Sequence, residues 1–74
     1  MVKTQSDRAM EWIAESDYIA RVALAWPGKE ASKFNGDREC FARYVRMQQD
    51  SALKQGFTRI ARELNDLLSG FVAS

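Results

Sequence analysis

The sequence contains no histidine and a single cysteine, Cys40. Without histidine the usual general base near neutral pH is missing, as are Ser-His and Cys-His nucleophile pairs and the common Cys/His zinc sets. One cysteine excludes an internal disulfide, and a lone thiol fits a reducing compartment better than a secreted one. Neither sign of charge dominates: eleven basic residues against ten acidic ones leave +1, too little for a global field that would gather nucleic acid or an anionic membrane. No stretch approaches the roughly 20 apolar residues of a membrane span, and the N-terminal MVKTQSDRAMEW has no apolar run of signal-peptide length. A soluble cytoplasmic protein is expected.

With 74 residues there is room for one domain whose core is small relative to its surface. Such chains lean on a disulfide, a metal, very regular packing or a partner subunit. The first two are excluded here, so regular helix packing or self-association is expected to supply the rest.

What is present is helical periodicity. From Ser6 or Asp7 to Trp26, the residues Ala9, Trp12, Ser16, Ile19, Ala23 and Trp26 recur at alternating steps of three and four, with Met10, Ile13, Ala20 and Leu24 widening the stripe. Ser6 and Asp7 are good N-cap types, and Pro27-Gly28 ends the helix. The segment PGKEASKFNGD reads as loop with one turn between Lys29 and Phe34. Asn35-Gly36 is a hairpin-turn signal, but no alternating strands flank it. Asp37 is a candidate N-cap for a helix carrying Phe41, Tyr44, Val45, Gln48, Ala52 and Leu53 on one side. Gly56 either ends that helix or sits inside a longer, bent one. The last segment is the most regular: Phe57, Ile60, Ala61, Leu64, Leu67, Leu68 and Phe71 form its stripe, and Gly70 is expected to end it. The reading is an all-α domain with helices over 7–26, 37–55 and 57–69, packed antiparallel as a hairpin or three-helix arrangement and expected to dimerise. Ala9, Ala20, Ala23 and Ala61 would permit close approach.

The second half of the first helix, YIARVALAW, is apolar nearly all round apart from Arg21, and such a helix end must be covered on more than one side. The cover is either another chain or the following loop folding back with Phe34. The first makes Tyr18, Val22 and Trp26, with Arg21, the candidate protein interface. Trp12 and Trp26 lie within about 40° of each other on the helix. They are either core anchors or hot spots for a partner.

Between Lys29 and Arg62 eight basic residues stand against four acidic ones, so Arg38, Arg43, Arg46 and Lys54 are candidate contacts for nucleic acid or an acidic partner. Opposite charges four apart (Glu39/Arg43, Arg46/Asp50, Asp50/Lys54, Arg59/Glu63, Arg62/Asp66) would instead pair along helices. The Ile-Ala-Arg-Glu-Leu centre of GFTRIARELNDLL is the sort of segment found in the first helix of a DNA-reading helix-turn-helix. The recognition helix would then start near Leu67, and no basic or amide side chain follows Asp66 to read a base edge. Cys40, beside Phe41 and Tyr44, fits a small buried hydrophobe better than an activated thiol. Carboxylate pairs show no metal spacing, and PGK and NGD lack the context of a phosphate loop.

No enzyme, cofactor or metal site is therefore expected. The favoured reading is a small non-enzymatic protein that presents a helical surface to a protein target, as a homodimer. Compact regulators and inhibitors from phages or mobile elements, including proteins that block host defence complexes, have this size and chemistry. The alternatives are a nucleic-acid-binding transcriptional regulator using the basic middle segment and an assembly chaperone whose groove holds a partner helix.

Overall fold

The computed structural model describes residues 5–73, with the Gln5 side chain left aside. In chain order it has α1 (Gln5–Leu24), a 3₁₀ turn (Lys29–Phe34), α2 (Arg38–Lys54) and α3 (Thr58–Ala73), with no strand among the described residues. The all-α expectation holds, as a three-helix arrangement. No helix among the described residues is long and apolar enough to cross a membrane.

Each boundary has a local cause. Ser6 and Asp7 lie within α1 rather than before it, and Asp7 places negative charge in the first turn. At the other end Ala25 still donates to the Arg21 carbonyl (3.0 Å). A cis Trp26-Pro27 bond follows. At Gly28 a Cβ would meet the Ala25 carbonyl oxygen at 2.7 Å, so only glycine lets the chain reverse this tightly against the end of α1. Asn35 and Gly36 turn the chain in left-handed conformations (φ 58° and 66°). Asp37 then caps α2, its carboxylate accepting from the Glu39 backbone N–H at 2.9 Å.

Gly56 is a true break. Its φ of +89° is one that L side chains rarely adopt, and the Gly56 and Phe57 N–H groups donate to the Leu53 and Ala52 carbonyls (3.0 and 2.8 Å). These bonds take up carbonyls that the end of α2 would leave open. The chain folds back at once, and α2 against α3 is the most extensive helix contact, with α1 against α3 next. Gly70 does not end α3, which continues to Ala73. With nothing in its sequence requiring a left-handed residue there, Gly70 stays helical at a modest propensity cost.

The core joins Ile19 and Val22 of α1, Phe34, Phe41, Val45 and Ala52 of the middle, and Ile60, Leu64, Leu68 and Phe71 of α3. At one end four aromatic rings meet: Trp26 stacks on Phe41 at 5.3 Å between centroids and meets Phe71 edge-on at 5.5 Å, while Phe34 lies edge-on to Phe41 at 5.0 Å. Leu53, placed on the core stripe by periodicity, is instead exposed, because α2 ends one residue later and the chain turns away from that side. The radius of gyration, 12.7 Å, exceeds the roughly 11 Å of a compact chain this long. The bundle is therefore elongated, and a larger share of its helix faces stays at the surface.

Candidate partner-binding surface

The sequence places a protein interface on Tyr18, Arg21, Val22 and Trp26, and the chain itself occupies much of that face. The loop after α1 folds back, as the alternative reading had it. Val22 is 4% exposed and lines, with Tyr18, Gly28 and Ala31, a small cleft of about 280 Å³ between α1 and the 3₁₀ turn. The Tyr18 hydroxyl donates to Glu30 at 3.3 Å, and the Lys33 ammonium lies 5.6 Å from the Tyr18 ring. Lys33 also forms an ion pair with Glu30 at 2.8 Å, and its hydrogen bond holds the Glu30 carboxyl below its usual pKa. Trp26 belongs to the aromatic cluster, and Arg21 is exposed and paired with Asp17 at 2.7 Å. Trp12, the other tryptophan, is half-buried and donates from its indole to Gln55 at 3.2 Å, which ties α1 to the turn between α2 and α3.

The basic residues of α2 do not share one face. Helix geometry puts Arg43, Arg46 and Lys54 within about 80° of one another and Arg38 roughly 140° from Arg43. Arg38, though exposed, folds against α3: its guanidinium donates to the Phe71 carbonyl and lies 4.0 Å from the centre of the Phe71 ring. Lys54 pairs with Asp50 at 3.0 Å, and Arg43 stands 3.9 Å from Glu39. These are two of the helical pairs read from the sequence. Among the described residues no ion pair joins Arg59 to Glu63 or Arg62 to Asp66. Cys40 is half-buried against the core.

A polar contact strip lies between α1 and α2, where the Tyr44 hydroxyl donates to Glu15. Partial burial first, and then this bond to Glu15, raise the Tyr44 pKa well above the ordinary tyrosine range.

The apolar surface the chain leaves open is elsewhere. Met10, Ile13, Ala20 and Leu24 form, with Asp17, a line at alternating steps of three and four along α1. Met10, Ile13 and Leu24 are 68%, 60% and 87% exposed. Beside this line runs α3, and between the two helices lie three adjoining hollows of about 540, 460 and 620 Å³. The first and second share Ile13 and Glu63, and the second and third share Asp66 and Leu67. They form one groove, which from Ile13 to Leu24 is about 16 Å long at the helical rise. Its floor is small or apolar (Ala20, Ala23, Leu67, Gly70), and the charged residues of the middle hollow are all acidic: Asp17, Glu63 and Asp66. Arg59 stands at one end and Arg38 at the other.

Periodicity alone places Ile13, Ala20 and Leu24 on a widened core stripe, yet Ile13 and Leu24 are exposed. The available signal was the width of that stripe, more than one neighbouring helix covers. The chain matches no known protein-family model, no curated protein and no solved structure.

Proposed function

We propose that this protein is a small non-enzymatic interaction module that binds a protein target in the groove between α1 and α3. In character it is a regulator or inhibitor of the phage or mobile-element kind, such as one directed at a host defence complex. The observation that carries the reading is the line of exposed Ile13, half-buried Ala20 and exposed Leu24 beside Leu67. An exposed apolar stretch flanked by charge is the usual mark of a docking surface, and a groove between two helices suits an incoming helix. This overlaps the chaperone alternative, which differs in what becomes of the bound helix rather than in how it is held. Homodimerisation draws its sequence support from the apolar Tyr18–Val22 face and from the benefit that a chain this small gains by association; of that face, Val22 is 4% exposed and Tyr18 is half-buried. The nucleic-acid alternative gains nothing from Arg38, which is engaged with Phe71.

The test compares retention of host proteins by the wild-type chain, by Ile13→Glu/Leu24→Glu, and by Arg46→Glu/Met47→Glu at exposed positions of α2 that do not line the groove. A partner kept by wild type and by the α2 variant and lost by the α1 variant supports the groove. Equal recovery by all three places the surface elsewhere.

A further inference from the structure

The charge around the groove indicates what kind of helix enters it. In the middle hollow the charged side chains, Asp17, Glu63 and Asp66, are all acidic. Asp17 has Arg21 beside it. Glu63 and Asp66 have Arg59 and Arg62 one helical turn earlier in α3, yet among the described residues neither carboxylate is in an ion pair. An apolar floor with Glu63 and Asp66 held in no ion pair on its rim favours a ligand that is apolar on one side and cationic on the flanks. The groove ends carry Arg59 and Arg38, so cations are favoured at the centre of the ligand and disfavoured at its tips.

We infer that the groove's occupant is a cationic amphipathic helix of a different protein, about three turns long, with Lys or Arg at its centre. This rests on the docking role proposed above and specifies the ligand. A second copy bound face to face about a two-fold axis would set Asp17, Glu63 and Asp66 against the same three carboxylates, and like charges in such a contact oppose association. The competing occupant is therefore head-to-tail: the outer face of α2 from another copy, where exposed Met47 has Arg43 and Arg46 nearby. Such a contact does not close, and its assemblies grow with concentration.

The experiment is a displayed library of helices about four turns long, with leucines fixed at i, i+3, i+7 and i+10 and the flanking positions mixed among Lys, Glu and Gln. It is selected on the full wild-type chain and on Glu63→Arg/Asp66→Arg, both checked for helical folding by circular dichroism. Wild type is expected to enrich Lys at the central flanks. The selected peptide should bind the charge-reversed variant at least about tenfold more weakly, weaken with added salt, and shift the amide resonances of Ile13, Ala20 and Leu67. Enrichment of helices with no preference for Lys overturns the cationic ligand and leaves the docking groove standing. No enrichment, or shifts confined to another face, overturns both. Concentration-dependent growth in sedimentation velocity that Met47→Glu abolishes assigns the groove to a second copy instead.

Discussion

Arg38, in the first turn of α2, donates from its guanidinium to the carbonyl of Phe71 near the end of α3 and covers the Phe71 ring at 4.0 Å. The contact joins the start of one helix to the end of the next across 33 positions of sequence. It satisfies a late carbonyl of α3 where the helix has no further turn to do so. Arg38→Ala is expected to cost about 1 kcal/mol and to speed amide exchange in the last turn of α3 more than elsewhere. Arg38→Lys should recover less than half, because an ammonium cannot both stack flat and donate as the planar fork does. Uniform exchange along α3 in Arg38→Ala would remove this role.

Two glycines in the same third of the chain should respond to alanine with opposite signs. Gly56 has a φ of +89° with open space around its Cα, and Gly70 lies inside α3, also with open space. Gly56→Ala is expected to destabilise by about 1 kcal/mol or more through backbone strain, and Gly70→Ala to stabilise by roughly 0.5–1 kcal/mol. Urea melts with unchanged m-values would read both. A stabilised Gly56→Ala would mean that α2 and α3 prefer to run on as one helix.

Tyr44 makes stability depend on alkaline pH. Its folded pKa lies above its unfolded value, near 10. The folded state therefore holds the proton more tightly. The resulting contribution is complete below about pH 10 and is lost as pH rises above it. Glu15 and, through its charge, Tyr18 face the hydroxyl and act in the same direction. Tyr44→Phe should lose less stability than wild type between about pH 9.5 and 11.5, as read by thermal melts of the two side by side. Parallel curves would mean that Tyr44 titrates in the folded chain as it does in the unfolded one.

Val22 and Leu24 are two residues apart and should differ sharply as glutamates. Val22 is 4% exposed and Leu24 87%. Val22→Glu buries an unpaired carboxylate and should cost several kcal/mol, enough to unfold a domain of this size. Leu24→Glu is expected within about 0.5 kcal/mol of wild type. Circular dichroism with chemical denaturation distinguishes them, and a folded Val22→Glu would show that the loop from Gly28 to Phe34 does not hold its place over α1.

Much of the architecture was legible because helices announce themselves locally. The stripe Ile60, Ala61, Leu64, Leu68 and Phe71 is buried as its spacing predicts, and Asp37 caps α2 as its type and position suggest. The break at Gly56 was undecided, since the apolar stripe crosses it without a change of phase. What decides it is the pairing of α2 with α3, which requires the chain to reverse there. The surface was less legible. Periodicity marks Ile13, Leu24 and Val22 alike as apolar helix positions, and exposure depends on which neighbour reaches each of them.

The sequence by itself determined the all-α class, the Asp37 cap of α2 and the buried stripe of α3, because side-chain spacing and capping residues act within a few positions of the chain. Only the tertiary structure decided which apolar residues are covered. Gly28 lets the loop fold back over Val22, and α2 and α3 close on each other. In a three-helix arrangement α3 runs beside α1 without closing over the whole of its wide stripe. The part left open, Ile13, Ala20 and Leu24 beside Leu67, is the groove, and it exists because a small core offers α1 too few neighbours to bury all of its apolar face.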